Sequence, residues 1–249
     1  MRVRSRLALV ASLQFGLSSR FDCHVWALRA PGGAILIDAG SGWANDAVLE
    51  NLEQAFGTRH VAAVLLTHSH PDHALGAASL RELTGCAVFS PAPARRLIEE
   101  GDEEGCGLAY ARRLGVYPAE LRMKPCPVAH AFAHGERFTV AGQAFQAIQV
   151  RGHSEDSFCL LTELDGMGTL FSGDVVFYGG LLGLINAPGS TMEGYRADLA
   201  RLQGLNVEAL LPGHGLFTLR GGQRHIDCAL NELSRNFLPR MIGQGDLIF

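Results

Sequence analysis

Val61-Ala62-Ala63-Val64-Leu65-Leu66-Thr67-His68-Ser69-His70-Pro71-Asp72-His73 is the stretch on which the reading of this chain turns. Its first six residues are a continuous apolar run, which predicts a strand covered on both faces. The run passes directly into His-x-His-x-Asp-His, and a helix is expected from about Ala74 to Leu83. Side chains converge readily where a strand gives way to a helix. His68 and His70 stand two apart and project the same way while the chain stays extended. Asp72 and His73, beyond the proline, swing to a neighbouring position. Burying three histidines and a carboxylate together without a cation is costly, so the four are predicted to be metal ligands.

The same punctuation recurs downstream. Val150-Arg151-Gly152-His153, Leu170-Phe171-Ser172-Gly173-Asp174 and Leu210-Leu211-Pro212-Gly213-His214 each end an apolar run with a ligand-competent side chain beside a glycine. Each is weak alone; their joint occurrence with the first cluster adds His153, Asp174 and His214 to the expected ligand set.

The composition narrows the field. A chain of 249 residues that is 47% hydrophobic can bury a sizeable core and lies outside the disordered range. A formal net charge of -4 argues against a general nucleic-acid partner, and no apolar stretch approaches the roughly 20 residues that cross a bilayer. Arg2, Arg4 and Arg6 before Leu7–Leu13 loosely imitate a secretory signal, but no small-residue cleavage site follows and the alternation reads as a strand. The six cysteines are scattered without a C-x-x-C, which fits buried thiols in a reducing cytoplasm rather than a disulfide framework or zinc ribbon.

Strands are expected at Leu7–Leu13, Val25–Leu28 and Ala34–Ile37, then a helix from Asn45 to Phe56 stopped by Gly57. After Ala87–Phe89, residues 91–133 read as a helical insertion, with helices at Arg95–Glu100 and Glu103–Leu114 and an irregular path imposed by Pro118, Pro125 and Pro127. Strands resume at Phe138–Val140 and Ala144–Val150 with Gly142 at the turn, then Phe158–Thr162 and Thr169–Phe171 about Asp165-Gly166. A helix at Met192–Leu202, a strand at Ala209–Leu211 and a helix at Gln223–Phe237 close the chain. Two similar halves would bury a sheet-on-sheet core with helices outside. No linker divides residues 1–249, so one domain is expected.

The five motifs, from Leu36-Ile37-Asp38-Ala39-Gly40 through the His68 cluster, His153 and Asp174 to Pro212-Gly213-His214, resemble the metallo-β-lactamase-fold superfamily of metallo-hydrolases, in that family's order. The resemblance implies an α+β fold, an αββα four-layer sandwich, with the active site at one edge. It implies a dinuclear centre: His68, His70 and His153 on one ion, Asp72, His73 and His214 on the other, Asp174 bridging, and Asp38 orienting a ligand histidine. Imidazole and carboxylate ligands without thiolates suit zinc, and also iron or manganese. Ser69 and Ser154 are expected to be turn residues.

A bridging Asp174 is what the thioesterase, lactonase and phosphodiesterase relatives carry, by that same resemblance, and Phe171-Ser172-Gly173-Asp174-Val175-Val176-Phe177 looks like the glyoxalase II segment. Ser154-Glu155-Asp156-Ser157 departs from that enzyme, and only 35 residues follow His214. The extra chain lies between His73 and His153 instead, as in lactonase-like relatives where an insertion roofs the pocket. The expected function is hydrolysis of a small acyl substrate (thioester, lactone or ester) by a metal-bridging hydroxide, with Asp72 orienting it and Tyr178 donating to the oxyanion. The alternatives are phosphodiester or RNA cleavage, for which Arg95, Arg96, Arg112 and Arg113 could contribute a basic groove, and iron-based oxygen or persulfide chemistry. His24, His60, His130, His134 and His225 are expected to be structural or exposed, and Trp26 and Trp43 core or rim residues.

Overall fold

A computed structural model describes residues 1–235 and 238–242, which fall into two compact units. The first comprises Met1–Phe132 with Thr139–Gln143. Its sheet runs in the order β1 (Leu7–Ala11), β2 (Val25–Ala30), β3 (Gly33–Ile37), β4 (Val61–Leu65), β5 (Ala87–Pro91) and β6 (His130–Phe132). The first three strands are antiparallel and the last four parallel. The continuous apolar run of β4 is explained by burial on both faces: Val64 joins the helix-side core and Leu65, pointing the other way, is equally buried.

Helix α1 (Asn45–Phe56) crosses from β3 to β4 and packs Val48, Leu49 and Leu52 on Ala8, Val10, Ala27 and Leu36. Gly57 ends it in the left-handed conformation, φ 72°, as its position predicts. The single helix expected near residue 74 is two: α2 (Pro71–Ala74) and α3 (Gly76–Thr84). The insertion contains α4 (Arg95–Glu100), as expected, and a shorter α5 (Leu108–Arg113). Ile98, Cys106, Leu108, Leu121, Met123 and Val128 make it part of the same core as α1 and α3. The edge strand β6 was hidden among prolines and has only three residues.

The second unit comprises Ala133–Phe138 and the chain from Ala144. Its sheet runs β11 (Ala209–Pro212), β10 (Met167–Gly173), β9 (Phe158–Leu164), β8 (Gln143–Gln149) and β7 (Arg137–Val140). Both expected hairpins are two-residue turns with positive φ at each central position: Ala141 and Gly142 (47° and 84°), Asp165 and Gly166 (53° and 77°). Helix α6 (Met192–Asp198) starts on Thr191, whose hydroxyl accepts the Gly194 N–H at 3.1 Å. Leu199 and Tyr195 pack with Ile226 and Ala229 of α7 (Gln223–Leu233) on Ile148, Cys159, Leu170 and Leu210. The expected end of α7 at Phe237 lies outside the described residues. No described helix is long and apolar enough to cross a membrane.

Candidate metal centre

The predicted ligands fall into two sets, one in each unit. In the first unit His68 leaves the C-terminal end of β4, His70 caps α2, and Asp72 and His73 lie in its opening turn. The His68 ring centroid is 4.7 Å from that of His70 and 4.1 Å from that of His73. Asp38 follows β3 at a positive φ of 64°, a conformation disfavoured outside glycine, asparagine and aspartate. Its carboxylate is the reason the residue holds there. Oδ1 accepts the Thr67 N–H at 2.7 Å, and Oδ2 stands 2.8 Å from His73 Nδ1. The Thr67 hydroxyl bonds the same carboxylate and lies 3.0 Å from His68 Nδ1. The residue expected to orient a ligand histidine therefore reaches His73 directly and His68 through Thr67.

In the second unit His153, Asp174 and His214 follow β8, β10 and β11, as their motifs predict. The Nε2 atoms of His153 and His214 lie 3.6 and 3.5 Å from Asp174 Oδ2. His153 Nδ1 bonds the Gly183 carbonyl at 2.6 Å, and the buried Tyr195 hydroxyl accepts the Gly183 N–H at 3.0 Å while donating to the Val175 carbonyl at 3.0 Å. Burial drives the Tyr195 phenol far above its ordinary pKa, so it stays a neutral donor. A Cβ on Gly183 would lie 1.9 Å from the Asp174 carbonyl oxygen, so only glycine brings this segment against the ligand turn.

This chemistry fits divalent cations. With Nδ1 of His68, His73 and His153 turned to the protein, Nε2 is the nitrogen of each that would coordinate an ion. His73 Nε2 and Asp72 Oδ2 lie 3.5 Å apart. Two donors at ~2.1 Å from one tetrahedral ion are separated by roughly 3.4 Å, which the spacings in both sets approach.

Sequence reasoning missed three groups beside these ligands. Tyr117, in the insertion, has its phenol pKa held well above the ordinary value, first by burial and then by the nearby Asp72 carboxylate. Cys23 places Sγ within 4.8 Å of ligand atoms of Asp38 and His73, and burial pushes its thiol pKa up, so it is a neutral thiol. Tyr195 is the third. Lone tyrosines and cysteines have no pattern to mark them, and only the motif-borne residues did. Tyr178 is 40% exposed, with its ring 4.3 Å from that of His225, whose Nδ1 accepts the Gly179 N–H at 2.9 Å. Ser154 is a turn residue, its hydroxyl 2.6 Å from Asp156 Oδ1. The arginines considered for a basic groove are paired: Arg95 with Glu99, Arg96 with Glu100, Arg112 with Glu103 and Arg113 with Glu104.

Residues 19–214 match the family model described as the metallo-beta-lactamase superfamily, a span that takes in both ligand sets. The chain belongs to the metallo-β-lactamase superfamily. As a member it is a metal-binding hydrolase of α+β fold. It is 30% identical over 226 residues to "Thioesterase pkgB" of Emericella nidulans, covering 85% of this chain and 55% of that protein. It is 30% identical over 195 residues to a hydroxyacylglutathione hydrolase of Albidiferax ferrireducens, covering 77% and 58%. The chain thus spans little more than half of either relative. Among solved structures, a metallo-beta-lactamase of Cronobacter sakazakii superposes with a TM-score of 0.70 at 21% identity, covering 93% of this chain and 91% of that one, a likeness of fold alone.

Proposed function

We propose that this superfamily member hydrolyses a small acyl substrate, a thioester ahead of a lactone or ester, with residues 1–249 acting as one domain. His68, His70, Asp72, His73, His153, Asp174 and His214 would serve a single pair of divalent ions, zinc foremost. The observation that carries the proposal is the donor geometry: in both sets imidazole Nε2 atoms stand 3.5–3.6 Å from a carboxylate oxygen, with the Nδ1 atoms of His73 and His153 anchored behind them. Relatives named as a thioesterase and as a hydroxyacylglutathione hydrolase support the choice of a thioester.

When bound, the ions make water acidic enough to react at neutral pH and polarise the acyl carbonyl. The protein's part is orientation. Asp72 orients the attacking water. Asp38 and Thr67 fix the tautomers and ring planes of His73 and His68. Tyr178, propped by His225, donates to the developing oxyanion.

A panel of thioesters, lactones and phosphodiesters, run with and without chelator beside metal analysis, tests this. The expected result is fastest turnover of thioesters, loss with chelator, and about two zinc per chain. Tyr178→Phe should lower kcat by about 10–100-fold with metal content unchanged. Phosphodiesters turned over faster than every acyl substrate, or one iron per chain with oxygen uptake, would overturn the proposal.

A further inference from the structure

The first unit carries an aromatic surface that runs up to Asp72. Phe21 lies in the loop between β1 and β2, Trp43 in the loop after β3, and Tyr117 in the insertion. The Phe21 ring centroid is 5.8 Å from that of Trp43 and 5.7 Å from that of Tyr117, and Cys23, two residues on, donates its backbone N–H to the Asp72 carbonyl at 3.3 Å. Three separate segments thus converge into one wall beside Asp72.

The wall is held in place. The Asp22 carboxylate accepts the Ser41 N–H and hydroxyl through Oδ1 at 2.8 and 2.6 Å and the Ser19 N–H through Oδ2 at 3.0 Å, latching the Phe21 loop to the Trp43 loop. Tyr117 packs against the core, and Arg112 donates to the Leu121 carbonyl at 3.0 Å across the turn that carries it. Such a preorganised surface needs little ordering on binding. It is nevertheless open at Trp43, which is 49% exposed, while the Arg20 guanidinium lies 4.7 Å over the Phe21 ring.

We infer that Phe21, Trp43 and Tyr117 form the acyl-chain subsite, and that the preferred thioester carries a medium-length aliphatic or aromatic acyl group rather than a two-carbon one. The inference rests on the proposed hydrolysis. What selects this occupant is continuity with the reaction centre: through the Phe21–Cys23 segment the wall meets Asp72, so an apolar group lying on it is joined to a carbonyl at the proposed ligands. Each methylene covered by the aromatic rings adds about 0.8 kcal/mol, roughly fourfold in affinity.

The experiment has a kinetic and a binding arm. Acetyl, octanoyl and benzoyl thioesters of N-acetylcysteamine are compared for kcat/KM in the wild type, Phe21→Ala, Trp43→Ala and, as a control far from the wall in sequence, Leu83→Ala on α3. Octanoyl and benzoyl substrates are expected to exceed acetyl by at least tenfold, and Phe21→Ala and Trp43→Ala to reduce that ratio to within about threefold, while Leu83→Ala keeps it. In parallel, S-octyl-N-acetylcysteamine, which cannot be hydrolysed, is titrated while tryptophan emission is followed. Trp26 is buried and serves as an internal reference; a saturable blue shift lost in Trp43→Phe is expected. A flat acyl preference or unchanged emission at saturating probe overturns the subsite and leaves hydrolysis standing. A blue shift produced by raising protein concentration alone, with a dimer on gel filtration, assigns the wall to a second copy and also overturns it. Should no thioester be turned over, the proposed function fails while the binding arm still decides the subsite.

Discussion

Asp38 shows how much one side chain can fix. Its backbone sits at φ 64°, and its carboxylate anchors Thr67 and His73 from beneath the ligands. Truncation removes these bonds, and loss of such an outer partner lowers metal affinity or activity by about 10–100-fold. Asp38→Ala is therefore expected to release zinc to a chelator at 10–100-fold lower competitor concentration. Unchanged release would show that His73 is held by other contacts. Asp38 was legible from sequence because it closes an apolar strand in a motif with fixed order. Tyr117 was not, since the turn between Leu114 and Pro118 gives no sign that its phenol lies near the Asp72 charge, 45 positions back.

Among the elements, α6 is tied to the loop that presents His153. Asp198, at the end of α6, accepts the Arg151 backbone N–H at 3.2 Å and its guanidinium at 2.6 Å, and Arg201 lies 2.8 Å away. Burial raises the Asp198 pKa, but the bonds from Arg151 and the charge of Arg201 outweigh it and hold the carboxyl below its ordinary value. A carboxylate depressed in the folded state stabilises fully above its unfolded pKa, near 4, and the contribution is lost as pH falls through the folded pKa. Asp198→Asn should lower Tm by about 2–4 °C at pH 7, and the gap to wild type should narrow steadily below pH 4. A gap independent of pH would refute the charge as its cause. A helix was expected over Met192–Leu202 and ends at Asp198; its role as a brace beside Gly152 was not expected, because Arg151 and Asp198 are 47 residues apart.

At the scale of the whole molecule, metal binding and stability are linked. Ions that bind only the folded chain stabilise it by about 2.7 kcal/mol at a hundredfold excess over Kd, so exhaustive chelation should lower Tm by about 5–10 °C and added zinc should restore it. A Tm indifferent to complete metal removal would show that the ligand sets hold without ions. The sequence by itself determined the positions of ten of the eleven strands, both two-residue hairpins and every proposed ligand, because strand periodicity, turn residues and ligand-bearing strand ends are local signals. Tertiary structure alone decided that β6 joins the first sheet, that Tyr195 props Gly183 behind His153, and that Phe21, Trp43 and Tyr117 meet beside Asp72. Such contacts join distant positions through packing and single hydrogen bonds, and neither leaves a periodic trace along the chain.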